Sequence, residues 1–421
     1  MRILLKAHDI SPLRGSECSN GWNFILNLSG KVALTVVHAK TNQFGTIDYE
    51  KEISNSKISN VHFIPISQPR ITKVVAKINF LITRSKRGTG IPLLYFLGLY
   101  FWEKKVYKYV KNNINPEEID IIHNLNHITF REPGFWYKIN KPLVWGPVSG
   151  IGNIPSVFLN GIKAIGMNHI RNLSNYYSMN FSSRIKKNAR FASKIYSVSK
   201  EDITFFKRFN KNVSYLPDVA IEKIKEFSTS GSSRPQGKIH LTWIGRIDRI
   251  KSLDIFLGAL GKLNEQVLEG YLITIIGEGP DKIKMQSYAE NLGLKNILWR
   301  GQLERSIVLE ILDESDLLVH TSVKEASATV ILEALSTLTP IICHDAFGMS
   351  NLINDNIGFK LNYVSKKQSV DELKLILEYI LANPSVITKK QSHIIEMLEK
   401  YSYQEITKTI YRDYEDIINS L

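Results

Sequence analysis

The sequence is poor in cysteine and has no apolar run long enough to cross a bilayer. Its two cysteines, Cys18 and Cys343, fall in different predicted domains, which excludes a disulfide framework and indicates a reducing compartment. The longest apolar run, residues 90–102, is shorter than the ~20 residues of a membrane span. Residues 1–6 are too short for a signal peptide and predict a first strand. We therefore expect a cytoplasmic protein.

Several catalytic signatures are also missing. No Gly-Lys pair is followed by Ser or Thr, so there is no P-loop, and Gly277-x-Gly279 lacks the third glycine of a dinucleotide-binding turn. The patterns Asp-x-Asp, His-Glu-x-x-His and paired Cys-x-x-Cys do not occur, which argues against a metal-dependent transferase and a zinc enzyme. We therefore predict catalysis without a bound metal or any other cofactor.

What the chain does contain is the composition of a globular protein. Hydrophobic residues make up 43% of it and charged residues 22%. With 421 residues it exceeds one ordinary core, which predicts two domains. The formal net charge of +14 implies an acidic partner, and nucleic acid, anionic lipid and a phosphorylated substrate all fit that charge.

Positive charge is concentrated between residues 70 and 111. This segment has ten basic residues against the acid Glu103: Arg70, Lys73, Lys77, Arg84, Lys86, Arg87, Lys104, Lys105, Lys108 and Lys111. Apolar residues recur in it at helical spacing: Val74, Val75, Ile78, Leu81 and Ile82. Two interpretations stay open. The helix lies on an anionic membrane, or it turns its apolar stripe to the core and its basic face to water.

Short apolar strands alternate with helical segments in both halves, which is typical of an α/β fold. The Ser- and Gly-rich stretch 228–237 predicts a flexible segment near the domain junction. We assign residues 1–217 to an N-terminal domain, 218–400 to a C-terminal domain and 401–421 to a terminal helix.

The most informative stretch is residues 324–335, which lies between two apolar strands. Glu325 falls in the loop that follows the first strand, and Glu333 falls inside a short helix among apolar neighbours. A glutamate is costly to bury without a partner. Glu333 is therefore expected to face a crevice at the carboxyl end of the sheet, where open α/β sheets bind ligands and helix N–H groups attract anions.

These residues resemble the retaining glycosyltransferases of family 4. The resemblance rests on Glu325 and Glu333 with seven residues between them, on the stretch 245–251 (GRIDRIK) and on Arg14-Gly15-Ser16-Glu17, and extends through residues 146–150. It implies the GT-B fold, with two Rossmann-like α/β domains facing a cleft and a terminal helix that crosses back to the first domain. It also implies a nucleotide-sugar donor.

The resemblance assigns roles to individual residues. Arg246 and Lys251 bind the donor diphosphate, Glu333 the ribose hydroxyls and Glu325 the sugar hydroxyls. It further places these residues at the donor: Gly15, Ser16, Gly277, Gln302, Thr329 and Val330. His123 and His127, at or just beyond the end of a strand, are the histidine candidates for catalysis beside Glu325. The family usually has Gly-Phe-Gly after the first glutamate, whereas this chain has Ala326-Ser327-Ala328.

The resemblance thus predicts a metal-independent, retaining hexosyltransferase. Its expected acceptor is a saccharide, lipid-linked at the inner face of a bacterial membrane, in capsule or O-antigen synthesis. Three alternatives stay open: a nucleotide-sugar epimerase of the same fold, a basic nucleic-acid-binding protein, and a non-catalytic member that only binds partners.

Overall fold

The computed structural model describes residues 1–15, 17–56, 58, 60–83, 90–159, 161–222 and 237–421. It divides into two compact units. The first unit comprises Met1–Gly152, His169–Asp218 and Tyr403–Leu421, and the second comprises Asn153–Asn168 and Val219–Ser402. The predicted flexible stretch 228–237 lies outside the described residues, apart from Gly237.

Each unit is built on one parallel sheet. The strands of the first are β1 (Arg2–Ala7), β2 (Ala33–Ala39), β3 (Val61–Ile66), β4 (Ile121–Asn126), β5 (Leu143–Val148), β6 (Lys194–Ser197) and β7 (Val213–Tyr215). The strands of the second are β8 (Ile239–Ile244), β9 (Tyr271–Ile276), β10 (Ile297–Gly301), β11 (Leu317–His320), β12 (Ile341–His344) and β13 (Gly358–Leu361).

Helices connect these strands. They are α1 (Glu17–Ser29), α2 (Tyr49–Ser54), α3 (Arg70–Thr83), α4 (Pro92–Asn113), α5 (Ile162–Phe181), α6 (Ser183–Phe191), α7 (Lys200–Lys207), α8 (Leu253–Leu260), α9 (Glu265–Glu269), α10 (Lys282–Asn291), α11 (Arg305–Asp313), α12 (Thr329–Ser336), α13 (Met349–Leu352), α14 (Lys366–Ala382), α15 (Ser385–Met397) and α16 (Tyr403–Asn419). Short 3-10 turns cover Pro116–Glu118, Trp136–Lys138, Ser156–Phe158 and Leu398–Tyr401.

The two sheets share one topology. The strand order is β3-β2-β1-β4-β5-β6-β7 in the first and β10-β9-β8-β11-β12-β13 in the second. In each, the chain winds outward on one side of the first strand and then returns to its other side. Ligands bind at the carboxyl ends of the strands where this reversal occurs. The predicted class, two Rossmann-like α/β domains, is confirmed.

The strands are apolar because helices cover both faces of a parallel sheet. Every residue of β4, β5, β11 and β12 is buried. The same burial leaves the polar residues that follow these strands as the first groups able to meet a ligand.

The first domain is not the continuous segment that the sequence predicted. Residues 153–168 belong to the second unit. Phe158 is fully buried there and stacks on Tyr363, with ring centroids 4.4 Å apart. The prediction was wrong here because short apolar residues in a loop do not reveal which core they join.

The carboxyl-terminal helix α16 groups with the first unit. Its Tyr403 ring meets Phe24 of α1 edge-on at 5.3 Å, and its Tyr414 side chain is fully buried. The helix therefore completes the packing around the first sheet.

The basic segment between residues 70 and 111 forms two helices, α3 and α4. Three of its ten basic residues, Arg84, Lys86 and Arg87, lie outside the described residues. On α3 the apolar stripe faces outward, since Val74, Ile78, Leu81 and Ile82 are all exposed and Val75 is buried. The interpretation of a core-facing stripe is therefore wrong for most of it. Among the described helices, none has the length and apolar content that a bilayer crossing requires.

Candidate functional site

The candidate site of the second unit lies along one edge of its sheet. Arg246 follows β8, Gly277 follows β9, Gln302 follows β10 and Glu325 follows β11. These four strands are neighbours and run parallel. Residues that are far apart in the sequence are therefore brought to a single carboxyl edge, at the point where the strand order reverses.

The loop after β8 is held in shape by Asp248. Its Oδ1 accepts hydrogen bonds from the backbone N–H groups of Ile250, at 2.9 Å, and Lys251, at 3.1 Å. Thr321, just beyond β11, donates its hydroxyl to the carbonyl of Lys251 at 3.0 Å. These bonds fix the backbone from which the Lys251 side chain projects.

Lys251 and Glu325 form a close ion pair, in which the ammonium donates to Glu325 Oε1. His320 Nε2 lies 3.7 Å from the same oxygen. Burial alone raises the pKa of Glu325, but His320 and Lys251 outweigh it and lower that pKa to about 2. Glu325 is therefore an anion at neutral pH that can accept hydrogen bonds from ligand hydroxyls.

Glu333 is held by a cation that sequence analysis did not identify. Its Oε1 accepts a hydrogen bond from Arg305 Nε at 2.7 Å. Arg305 Nη1 also lies 3.3 Å from Glu222 Oε1. Arg305 thus fixes one carboxylate oxygen of Glu333, and the carboxylate has further acceptor capacity for a ligand.

Arg246 leaves the edge toward solvent. Its side chain is 65% exposed, and its Nε lies 3.5 Å from Asp248 Oδ2. A guanidinium in this position can form a planar, two-point contact with phosphate oxygens. Gln302 is exposed as well, directly after β10.

Gly277 is required by close packing of backbone. Its φ is 138°, and a Cβ there would come within 1.9 Å of the carbonyl oxygen of Gly245. A Cβ at Gly279 would come within 2.1 Å of the carbonyl oxygen of Ile247. The loops after β8 and β9 therefore touch through their main chains.

Helix α12 presents its amino terminus at this same edge. Thr329 and Val330 lie in its first turn. The N-cap residue is Ala328, whose side chain makes no capping hydrogen bond to the helix. The Ser327 hydroxyl is buried, and the described residues offer it no hydrogen-bond partner. Uncapped N–H groups and an unused donor together make a site suited to an anion.

The first unit gathers a different set of groups at the carboxyl edge of its sheet. His8 and Asp9 follow β1, and His127 follows the adjacent strand β4. His127 Nε2 lies 3.7 Å from Asp9 Oδ2, and its Nδ1 lies 3.4 Å from Glu17 Oε1. His8 Nδ1 is hydrogen-bonded to Asp9 Oδ1 at 2.7 Å.

These contacts set the charge of the cluster. Burial alone lowers the pKa of His127, but the carboxylates of Asp9 and Glu17 outweigh it and raise that pKa. Burial lowers the pKa of His8 to about 4. His127 thus favours the imidazolium form, while His8 is neutral near pH 7.

The donor set of His8, Asp9 and His127 is also one that divalent metals use, since their ligand atoms lie within 4.8 Å of one another. The raised pKa of His127 makes its ring harder to deprotonate, and a metal binds only the deprotonated nitrogen. Catalysis without a metal therefore stays a prediction.

His123 does not belong to this edge. Its side chain is fully buried, and its Nε2 and Nδ1 lie 2.7 Å from the carbonyl oxygen of Gly146 and 2.5 Å from the Tyr414 hydroxyl. Both ring nitrogens are therefore used inside the core. The structure thus places His123 in the core and His127 at the sheet edge, and the catalytic role of either histidine stays a prediction.

Gly15 lies between β1 and α1, and a side chain there would meet no described atom within 4 Å. Ser16 falls outside the described residues. Glu17, the first residue of α1, accepts a hydrogen bond from the backbone N–H of Ile128 at 2.8 Å, which ties the helix start to the loop after β4.

Sequence reasoning missed Asp9 and Arg305. Asp9 carried a usable signal, because it is a polar residue directly after the first strand. Arg305 carried none, since only the folding of α11 beside α12 brings it to Glu333.

Residues 225–401 match the protein family described as Glycosyl transferases group 1. Alpha-monoglucosyldiacylglycerol synthase of Streptococcus pneumoniae is 24% identical over 205 residues, 48% of this chain and 44% of that protein. Lipopolysaccharide glucosyltransferase WaaG of Escherichia coli is 29% identical over 126 residues, 29% of this chain and 33% of that protein. The matches span less than half of these two relatives.

Solved structures extend the likeness to the whole chain. HepE of Anabaena, in complex with UDP and glucose, has a TM-score of 0.60 at 14% identity and is covered over 100% of both chains. WaaG, a glycosyltransferase involved in lipopolysaccharide biosynthesis, has a TM-score of 0.59 at 15% identity, again over 100% of both chains. At such identities the likeness shows the fold alone. The chain is thus similar to the glycosyltransferases of group 1 over residues 225–401, which is less than half of its length, and has the fold of solved GT-B structures.

Proposed function

We propose that this protein is a retaining, metal-independent hexosyltransferase that moves a sugar from a nucleotide-sugar to a saccharide acceptor. The observation that carries the proposal is the convergence of Arg246, Lys251, Glu325 and Glu333 on one carboxyl edge, beside the uncapped start of α12. Cations and amides for a diphosphate stand there with carboxylates for hydroxyls. A nucleotide-sugar carries both kinds of group.

The donor half of the proposal agrees with the structural neighbours, because HepE holds UDP and glucose. The acceptor half agrees with the relatives, which include a glycolipid synthase and a lipopolysaccharide glucosyltransferase. We extend both to this chain as a lipid-linked saccharide acceptor in surface polysaccharide synthesis, such as capsule or O-antigen.

In the proposed reaction the second unit stabilises the leaving group. As the glycosidic bond breaks, negative charge grows on the diphosphate, and Arg246, Lys251 and the first amides of α12 are placed to bind it. Each charge-assisted hydrogen bond contributes about 1.5 to 3 kcal/mol. Fixed cations of this kind do the work that a metal does elsewhere.

The carboxylates bind hydroxyl groups. Glu333, oriented by Arg305, holds the ribose, and Glu325 holds the donor sugar. Neither acts as a displacement nucleophile. The departing phosphate takes the acceptor proton, and the acceptor attacks from the same face of the sugar, which retains the anomeric configuration.

The first unit contributes His127 and Asp9. The imidazolium of His127 is a donor and the carboxylate of Asp9 an acceptor, so the pair can bind neighbouring sugar hydroxyls. We assign this pair to sugar binding rather than to nucleotide binding. The lipid-linked acceptor brings the protein to the inner face of a membrane as a peripheral, cytoplasmic enzyme.

The test is sugar transfer itself. Radiolabelled UDP- and GDP-hexoses are incubated with the protein and bacterial lipid extract, and label is followed into the lipid fraction and into free sugar. Wild type should transfer or hydrolyse one donor, and Glu325→Gln should lose that activity. If wild type neither transfers nor hydrolyses any donor, the chain is a binding protein and the proposal fails.

A further inference from the structure

We infer that the outer face of α5 is a docking surface for an anionic lipid bilayer. This surface, called the α5 face below, consists of five residues: Ile170, Leu173, Tyr176, Tyr177 and Phe181. Their exposed fractions lie between 60% and 71%. Single exposed apolar residues are ordinary on a protein surface, but a row of five large ones on one helix marks an interaction site.

The spacing makes the α5 face continuous. Ile170, Leu173, Tyr177 and Phe181 follow one another at intervals of three or four residues, so they line one side of the helix over three turns. Tyr176 lies beside this row. The apolar side of α5 is therefore the side that faces solvent.

On the side of α5 that faces the protein, polar side chains hold the helix in place. Asn175 is fully buried, and its Nδ2 lies 3.3 and 3.2 Å from the carbonyl oxygens of Gly150 and Ile151. Arg171 Nη2 donates to the carbonyl oxygen of Gly152 at 3.3 Å. An amphipathic helix of a soluble domain normally has the opposite arrangement. Here polar contacts fix the helix and its apolar residues are presented outward.

The charge of the chain segment that contains α5 indicates what covers this helix. From residue 133 to residue 200 the sequence contains no Asp or Glu. It contains ten basic residues in that stretch: Lys138, Lys141, Lys163, Arg171, Arg184, Lys186, Lys187, Arg190, Lys194 and Lys200. Aromatic and aliphatic side chains on a basic background match the headgroup region of an anionic bilayer. Nucleic acid explains the charge but not the aliphatic row.

A second apolar surface of the same unit lies nearby. The guanidinium of Arg131 hydrogen-bonds to Asn175 of α5 and lies 4.8 Å from the centre of the Phe96 ring of α4. On α4, Leu93 and Leu97 are exposed. The α5 face thus neighbours the α3–α4 pair, whose apolar stripe is exposed as well. In this proposal the α5 face and the α3–α4 pair both meet the bilayer. The sequence alone indicated a membrane contact only for the basic segment that contains α3.

This inference deepens the proposed function and rests on it for its purpose, because a lipid-linked acceptor has to be met at a bilayer surface. The physical claim about α5 is separate. Vesicle binding needs no donor, and nucleotide binding needs no vesicle. One experiment can therefore fail without the other.

The test is cosedimentation with vesicles of equal parts phosphatidylglycerol and phosphatidylcholine. The variant is Leu173→Ser/Tyr177→Ser. Its matched control is Leu375→Ser/Tyr379→Ser on α14 of the second unit, which has the same residue types at the same spacing and similar exposure. Thermal unfolding of all three proteins without any ligand checks that the variants are folded.

We expect wild type and the control to bind these vesicles, and the α5 variant to bind about tenfold or more weakly because two large apolar side chains no longer enter the bilayer. Binding should fall as salt increases and should be weaker with phosphatidylcholine alone. Equal vesicle binding by the α5 variant, or no binding by wild type, overturns the inference. The inference is also overturned if the α5 variant still binds vesicles but no longer associates with itself. A second copy of this chain would then cover the α5 face.

Discussion

The two carboxyl edges of this protein hold charge in different ways. In the second unit each carboxylate is paired with a permanent cation, Glu325 with Lys251 and Glu333 with Arg305. In the first unit Asp9 and Glu17 flank a histidine, whose charge depends on pH. The difference indicates a division of labour. Fixed cations suit a diphosphate that must be bound at any pH, whereas a histidine between carboxylates suits hydroxyl groups that exchange protons.

The largest expected effect separates His123 from the edge beside it. His123→Ala leaves the Tyr414 hydroxyl and the Gly146 carbonyl buried without this partner, which should lower the free energy of unfolding by roughly 2 to 5 kcal/mol. The measurement is thermal unfolding, with the exposed His62 replaced by Ala as the control. An unchanged midpoint would show that His123 is not a core residue and would return it to the candidates for catalysis.

The next effect concerns a fixed cation of the second edge. Lys251→Ala should weaken nucleotide-sugar binding by about 1.5 to 3 kcal/mol, or about 10- to 150-fold, because it removes a charge-assisted bond and the lysine partner of Glu325. Isothermal titration measures the affinity. Lys262→Ala, which removes a lysine paired with Asp371 on the surface of the same unit, is the control and should bind as wild type does. If both variants lost the same affinity, the effect of Lys251 would come from the net charge of the protein and not from its position at the site.

A smaller effect should appear in the pH dependence of the first edge. The pKa of His127 is raised in the folded state, so its ion pairs stabilise the protein fully below the ordinary value of 6.5 and are lost as pH rises through the folded pKa. Wild type should therefore lose stability above pH 6.5 more steeply than His127→Gln. Parallel stability curves for the two proteins over that interval would contradict the proton assigned to His127.

The smallest expected effect is that of metal. If His127 carries a proton between Asp9 and Glu17, neither EDTA nor Zn²⁺ at low concentration should shift the unfolding midpoint. His8→Gln serves as the comparison. A rise in the midpoint with Zn²⁺ that disappears in this variant would establish a metal site at the first edge and would contradict the prediction of catalysis without a metal.

The second edge was largely predictable from the sequence, and there is a physical reason. Glu325, Glu333, Arg246 and Lys251 lie in short stretches next to strongly apolar strands, so local patterning places them at strand ends. Parallel strands then bring those ends together. What patterning cannot supply is the partner of each group, and Arg305 shows this because it joins Glu333 across 28 positions of the chain.

The first edge was harder to predict for the same reason. His123 lies inside β4 and His127 directly follows that strand, and only the packing of α16 decides that His123 is used by Tyr414. The α5 face was missed because helical spacing shows that a helix has an apolar side but not which side meets the core. The place of residues 153–168 in the second unit was missed for a related reason. The sequence shows that Phe158 is apolar but not which of the two cores it joins.

The most direct test of the account is the thermal stabilisation of wild type and Glu333→Ala by UDP, GDP and their sugar conjugates. A ligand that binds only the folded state raises its stability. We predict that one nucleotide and its sugar conjugate raise the unfolding midpoint of wild type, and that Glu333→Ala loses most of this rise. If no nucleotide stabilises wild type, or if the variant responds as wild type does, the carboxyl edge of the second sheet is not a donor site.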